Sequence, residues 1–187
     1  VYAYKSGIFC YHLQKPDSAK LYADSMLYLL RDKDPQNYPN AFTYTYYANG
    51  DAMYANNQFN EAYTYYYKAR QFNSNIKDYC ALKECSYRIG MILYKQRKFK
   101  DAAKSFQQSL FEANLCDINK QFSNYYRKQE LQNNIALSYY MQGNNDSALT
   151  YYQKAIDYIT SHQKADTSTL FYDEMAKGVA YGNIGEL

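Results

Sequence analysis

A pair of small residues twelve positions apart recurs four times along this chain of 187 residues. The pairs are Gly7 with Ala19, Gly50 with Ala62, Gly90 with Ala102, and Ala136 with Ala148. In the later three copies an aromatic residue follows four positions after the second small one, at Tyr66, Phe106 and Tyr152. A small residue on each of two antiparallel helices lets the backbones approach closely, and an aromatic ring one turn later fills the space beside that contact. The pattern therefore predicts a solenoid of helical hairpins.

Reading outward from each pair predicts an all-α chain of four antiparallel hairpins plus the first helix of a fifth. The predicted helices cover residues 1–14, 16–31, 39–56, 59–73, 76–97, 99–115, 119–142 and 144–161, and a ninth begins near 169. Short turns within each hairpin force antiparallel neighbours, and clusters such as Asn73-Ser74-Asn75 disfavour continuous helix between hairpins. The second small residues lie 43, 40 and 46 residues apart, which suits one repeat type with outer loops of variable length.

We expect one domain over residues 1–187, with a repeat for each hairpin. The repeats cover 1–34, 39–74, 76–116 and 119–162, and a partial repeat covers 169–187. The final segment repeats the start of a first helix without its partner, and Val1 lies inside a predicted helix. Since a repeat without its neighbour leaves an apolar face uncovered, we expect the natural protein to continue beyond both ends.

Composition excludes several classes of partner. The 21 basic and 18 acidic residues give a net charge of only +3, with no long run of like charges, so we expect no contact with nucleic acid. No stretch reaches the roughly 18 apolar residues that a membrane span needs. The 26 tyrosines are too many for a hairpin core to take up, so some must line a surface.

Chemical motifs give little support for catalysis. The sequence has no nucleophile elbow, no phosphate-binding glycine loop and no zinc-like spacing of cysteine or histidine, so we expect no enzymatic activity, no metal and no cofactor. Cys80 and Cys116 lie symmetrically about the turn near Lys98, so they should face each other across a hairpin. A disulfide between them is one hypothesis. Because facing helix axes often hold two Cα atoms too far apart, two buried thiols are the other.

The segment 134–143, followed by Ala148 and by 151–155, resembles a tetratricopeptide repeat. The copies around Gly50 and Gly90 match almost as well, whereas the first copy has Ala23 where the aromatic belongs. The resemblance implies a right-handed α-α superhelix whose concave surface is lined by the first helix of each hairpin. The family's usual period is 34 residues, so this chain resembles the longer-helix members found in regulatory and sensor proteins.

The resemblance also implies which positions point into the concave groove. Tyrosine occurs four residues after every first small marker, and other tyrosines and polar residues occupy neighbouring positions of the same helices. The predicted groove residues are Tyr4, Tyr11, Tyr44, Tyr47, Asp51, Tyr54, Glu84, Tyr87, Met91, Tyr94, Lys95, Asn133, Leu137 and Tyr140. Tyrosine offers contact area at little entropic cost and a hydroxyl for orienting bonds, which suits an extended ligand. The alternative is that these rings only pack between helices.

Three functions follow, in order of preference. The first is a protein- or peptide-binding domain serving as the sensor or interaction module of a larger regulatory protein, of the histidine kinase or transcriptional regulator type. The second is a structural scaffold or oligomerisation spacer with no diffusible ligand, and homo-oligomerisation is left open. The third is binding of an extended polymer such as a glycan. A sensor ectodomain would be periplasmic and the other forms cytoplasmic, and the sequence leaves the compartment undecided.

Overall fold

The computed structural model describes residues 2–116, 122–162 and 167–187, and every regular element in these ranges is helical. The chain divides into two compact units, residues 1–92 and 93–187. The predicted all-α class, built from successive helical hairpins, is confirmed for the described residues.

The first unit contains helices α1 to α4 and most of α5. Their bounds are α1 Tyr2–Gly7, which continues as one π-helical turn over Ile8–His12, α2 Pro16–Leu30, α3 Pro39–Ala55, α4 Phe59–Asn75 and α5 Tyr79–Lys95. Each of α1 to α3 packs against the next helix along the chain, and α1 also contacts α3. Hence the first helices of neighbouring hairpins, α1 and α3, lie side by side.

The second unit begins at the last turn of α5. Its helices are α6 Phe99–Leu115, α7 Phe122–Tyr140, α8 Asn145–His162 and α9 Thr167–Gly185. Helices α6, α7 and α8 each pack against the next helix along the chain. None of the described helices in either unit is long and apolar enough to cross a membrane.

Left-handed residues close the predicted turns within hairpins. Gln14, Asn57, Arg97 and Gly143 have φ angles of 50°, 58°, 60° and 74°. After Asn57 the amide of Gln58 donates to the carbonyl of Met53 at 2.9 Å, five residues back. This bond satisfies a carbonyl that the helix end would leave open, so the turn terminates the helix and reverses the chain.

One predicted break was wrong, and one predicted helix is not uniform. Helix α4 continues to Asn75 because the side chain of Asn73 is buried: it accepts a hydrogen bond from Thr43 Oγ1 at 3.0 Å and donates to the carbonyl of Ala69 at 2.8 Å. The break falls instead at Lys77, whose φ is 55°. The helix expected over 1–14 changes from α to π geometry at Ile8.

The repeat markers form the cores of both units. The alanines at the second marker position, Ala19, Ala62, Ala102 and Ala148, have no exposed surface, and the aromatics that follow them at 66, 106 and 152 are at most 2% exposed. In the second unit Ala136, Ala148 and Tyr152 belong to one buried cluster. Close helix contact at small residues, with a ring beside it, is therefore confirmed as the packing device.

Candidate functional site

A cavity of about 240 Å³ opens in the first unit between α1, α3 and α5. We call it the Asp51 cavity. Its lining residues are Ser6, Gly7, Cys10, Tyr44, Tyr47, Ala48, Asp51, Glu84 and Arg88. The four contributed by α3 are spaced three and four residues apart, which places them on one helix face, and Glu84 and Arg88 are one turn apart on α5. Three successive first helices thus supply one site.

The Arg88 guanidinium joins two carboxylates at this cavity. Its Nε donates to Asp51 Oδ1 at 3.0 Å and its Nη1 donates to Glu84 Oε2 at 3.0 Å. All three side chains are largely buried, with exposed fractions of 12% for Asp51, 23% for Glu84 and 21% for Arg88. Asp51 Oδ1 also accepts a 2.6 Å hydrogen bond from the Tyr66 hydroxyl. The carboxylate of Asp51 is therefore held from both α4 and α5.

Two tyrosines of α3 contribute differently to the cavity. Tyr47 is buried, with the Arg88 guanidinium 4.5 Å from its ring centroid and its hydroxyl donating to the carbonyl of Ala81 at 2.7 Å. Burial raises the pKa of Tyr47 well above its ordinary value. Tyr44 is 58% exposed. Tyr47 is therefore held in place against Arg88, whereas the ring of Tyr44 is accessible to a ligand.

The thiol of Cys10 borders the same cavity. Its Sγ donates to the backbone carbonyl of Asp51 at 3.4 Å. Burial, with a smaller contribution from the Asp51 carboxylate, raises the pKa of Cys10 to about 11. The thiol form therefore predominates at neutral pH, which makes Cys10 a poor nucleophile there.

Four of the predicted groove residues line the cavity: Tyr44, Tyr47, Asp51 and Glu84. Other predicted residues of the first unit lie elsewhere. Tyr54 packs edge-on against Phe59 of α4 with ring centroids 5.6 Å apart, and Tyr87 and Met91 are half-buried on α5. The side chains of Tyr4 and Tyr11 lie outside the described part of the chain.

The remaining predicted residues belong to the second unit and are Tyr94, Lys95, Asn133, Leu137 and Tyr140. Tyr94 packs edge-on against Phe99 at 5.2 Å, which repeats the Tyr54 contact across the next hairpin turn. Lys95 is exposed, and Asn133, Leu137 and Tyr140 are half-buried. Tyr140 packs against the cluster around Ala136. The rings one turn after the first marker therefore stabilise hairpins.

Sequence reasoning missed Arg88, which connects the two acidic residues of the cavity. It also missed the α1 contribution of Ser6, Gly7 and Cys10. The i, i+4 spacing of Glu84 and Arg88 was visible in the sequence and is typical of a helical ion pair. The bond from Arg88 to Asp51 links residues 37 positions apart and could be found only by folding the chain.

The structure also bears on metal binding and on the state of the cysteines. Among the described residues, no group of three His, Cys, Asp or Glu side chains is placed to hold a metal ion. Cys10 and Cys85 carry thiols, whereas Cys80 and Cys116 are each disulfide-bonded.

Successive hairpins whose first helices contribute to one site define an α-helical repeat protein. The sequence profile of the tetratricopeptide repeat family matches residues 129–160, which span the hairpin of α7 and α8. This match and the all-helical repeat fold support a helical repeat protein of the tetratricopeptide repeat family. Repeats of this family form protein-interaction modules, and that general class applies here.

A solved structure supports the same fold. The crystal structure of BtubC (BKLC) from P. vanneervenii is similar to this chain with a TM-score of 0.64 and 16% sequence identity. The match covers 91% of this chain and 65% of that chain, so this chain spans less than two thirds of its length. At this identity the likeness concerns the fold alone. No curated protein matches the sequence significantly.

Proposed function

We propose that the chain binds an extended polypeptide through its first helices, with the Asp51 cavity as the recognition point. The observation that carries this proposal is the convergence of α1, α3 and α5 on one concave site. The volume of about 240 Å³ is below the 300–1,000 Å³ that is typical of sites for drug-sized ligands and cofactors. A site of this size suits a single side chain of a longer partner, which then continues along the helices.

The same site supports a role in binding rather than in catalysis. Arg88 bonds to Asp51 and Glu84, the Tyr47 hydroxyl bonds to a carbonyl, and the Cys10 thiol is protonated at neutral pH. A nucleophile beside a general base is the arrangement that covalent catalysis requires. The polar groups of the cavity instead form a fixed surface, which is suited to recognition.

The biological setting that we propose is a regulatory protein in which this module reports the presence of its partner. This setting is supported by the repeat period of 40 to 46 residues, which is similar to the repeat period of sensor and regulator proteins. Reading the coding sequence on either side of this chain tests the setting. A kinase or DNA-binding domain in the same frame would support it, and only further repeats would argue for a scaffold.

A second candidate function is self-association through α9, with a second copy of the chain as partner. Three apolar side chains on successive turns of α9 are more than half exposed: Phe171 at 66%, Met175 at 54% and Val179 at 55%. Exposed rows of this kind mark interaction surfaces in soluble proteins. Light scattering after size-exclusion chromatography tests it: a dimer that becomes a monomer in Met175→Lys supports this function, and a monomeric wild type contradicts it.

Selection of random twelve-residue phage-displayed peptides on the immobilised chain tests the leading proposal. Selected peptides are then titrated against wild type, Tyr44→Ala and the matched control Tyr67→Ala. Tyr44 lines the cavity, whereas Tyr67 is a comparably exposed ring on α4, at 45%. Because aromatic anchors dominate many interfaces, we expect Tyr44→Ala to weaken binding about tenfold or more and Tyr67→Ala to leave it unchanged. Failure to select peptides, or equal binding by all three proteins, would overturn the proposal.

A further inference from the structure

We infer that the Asp51 cavity recognises a cationic side chain, lysine or arginine, as the anchor of the bound polypeptide. This inference rests on the proposed function and specifies the chemistry of its ligand. It follows from the charge of the lining, from the Asp51 oxygen that accepts no hydrogen bond from the described residues, and from the exposed aromatic ring at the opening.

The charged groups that line the cavity carry an excess negative charge. Asp51 and Glu84 are carboxylates, and Arg88 is the one cationic residue among the described residues of the lining. Arg88 bonds to both carboxylates at 3.0 Å, so its charge is already shared between them. In a partly buried site this residual charge is less screened than on an open surface, and it favours a positive ligand.

The carboxylate of Asp51 has one oxygen available to a ligand. Both of its hydrogen bonds from described residues, from Tyr66 and from Arg88, end on Oδ1. Oδ2 receives none of the bonds made by the described residues, although the Asp51 side chain is only 12% exposed. An unbonded carboxylate oxygen on a largely buried side chain gains from a charged N–H donor, because charge-assisted hydrogen bonds are the stronger ones.

The opening of the cavity also suits a cation. Tyr44 is 58% exposed beside it, so a guanidinium or ammonium group entering the cavity passes an aromatic ring. Tyr47 already holds the Arg88 guanidinium 4.5 Å from its centroid, so the same helix face binds a cation within the protein itself. An acidic anchor would meet two carboxylates and would have to compete for Arg88.

The inference is tested on the whole chain by nuclear magnetic resonance titration with four capped amino acids. The probes are the N-acetyl methylamides of lysine, arginine, glutamate and norleucine, at equal ionic strength. The amides of Gly7 and Ala48 report on the cavity because both residues line it. We expect saturable chemical-shift changes with the lysine or the arginine probe, and the stronger of the two shows whether the cavity prefers an ammonium or a guanidinium group. Binding of that probe should weaken as the salt concentration is raised.

Asp51→Asn is the informative variant because an amide oxygen can still accept from Tyr66 and Arg88. It removes one negative charge, and we expect binding of the cationic probe to weaken about tenfold. Glu61→Gln, an exposed position in the first turn of α4, removes the same charge outside the cavity and should leave binding unchanged. Glu84→Gln provides a second variant should Asp51→Asn fail to fold.

Equal or greater shifts with the glutamate or norleucine probe would overturn the inference, as would the absence of any saturable shift with the two cationic probes. These results are separable from failure of the proposed function. If phage selection yields peptides that need Tyr44 but keep their affinity when every lysine and arginine is replaced by norleucine, the peptide-binding function stands and the cationic anchor is wrong. If no peptide is selected, the function itself fails.

Discussion

A Cβ atom on Gly50 would lie 2.6 Å from Cδ1 of Tyr66. The ring of Tyr66 therefore occupies the space that any side chain at position 50 would need. The ring cannot withdraw easily, because it is only 2% exposed and its hydroxyl donates to Asp51 at 2.6 Å. The glycine and the aromatic of the repeat thus form one interlocked contact, which fixes α3 against α4 and positions a carboxylate of the cavity.

Gly50→Ala is expected to destabilise the chain. The added methyl group forces Tyr66 or the α3 backbone to move, and overpacking of a well-packed core costs about 1–3 kcal/mol. Gly178→Ala in α9 is the matched control, because no atom lies within 4 Å of a Cβ placed there. In that helix, alanine should stabilise by about 0.5–1 kcal/mol. Urea denaturation followed by circular dichroism measures both, and wild-type stability of Gly50→Ala would contradict the interlocked contact.

Tyr66 and Tyr152 occupy the same position of the repeat and are similarly buried, but only one has a partner for its hydroxyl. Tyr66 bonds to Asp51, whereas the Tyr152 hydroxyl is buried and finds no hydrogen-bond partner among the described residues. Tyr66→Phe should therefore lower the free energy of unfolding by about 1–2 kcal/mol. Tyr152→Phe removes an unsatisfied polar group and should leave stability unchanged or raise it.

Thermal denaturation of these two phenylalanine variants beside wild type gives the comparison directly. The third aromatic at this position, Phe106, already lacks a hydroxyl and is 1% exposed. A larger loss of stability in Tyr152→Phe than in Tyr66→Phe would show that the hydroxyl partners are assigned wrongly.

The sequence was sufficient to predict the helices because the relevant information is local. Each small residue pair lies within one hairpin, and turn residues such as Asn57 and Gly143 end the helix that immediately precedes them. The helix ends fall within three residues of those predicted. The predicted break at Asn73 was wrong for a non-local reason. Asn73 was expected in a break because asparagine favours turns, but its partner Thr43 lies 30 residues away and keeps it inside α4.

The candidate site was only partly accessible from the sequence. Tyr44 and Tyr54 are the same residue type on the same helix, yet one is largely exposed at the cavity and the other packs against Phe59. Which ring is left open depends on what the neighbouring helix presents opposite it. Arg88 was missed for the same reason, since its contact with Asp51 is set by the packing of α5 against α3 and not by local pattern.

Alkaline pH is expected to destabilise the chain through its buried acids. Burial raises the pKa of Cys10 from 9.0 to about 11 and that of Tyr152 from 10.0 to about 12. The folded state therefore keeps protons that the unfolded chain has lost. The contribution of these two groups to stability is constant below about pH 9 and is lost as pH rises toward about pH 12. The melting temperature against pH measures this decline. Tyr152→Phe should reduce the decline above about pH 10, and an equal decline in both proteins would contradict the role of Tyr152.

Thiol counts test the state of the four cysteines. Cys10 and Cys85 carry thiols, and Cys80 and Cys116 are each disulfide-bonded. The denatured chain should therefore show two thiols without reductant and four after reduction. If Cys80 pairs with Cys116, Cys80→Ser and Cys116→Ser should each show three thiols without reductant, because each change releases the partner. Cys10→Ser, the matched control, should show one.

Reduction of wild type should lower stability by about 4 kcal/mol, the entropic value for a loop of this length. Four thiols in the unreduced wild type would exclude the disulfide.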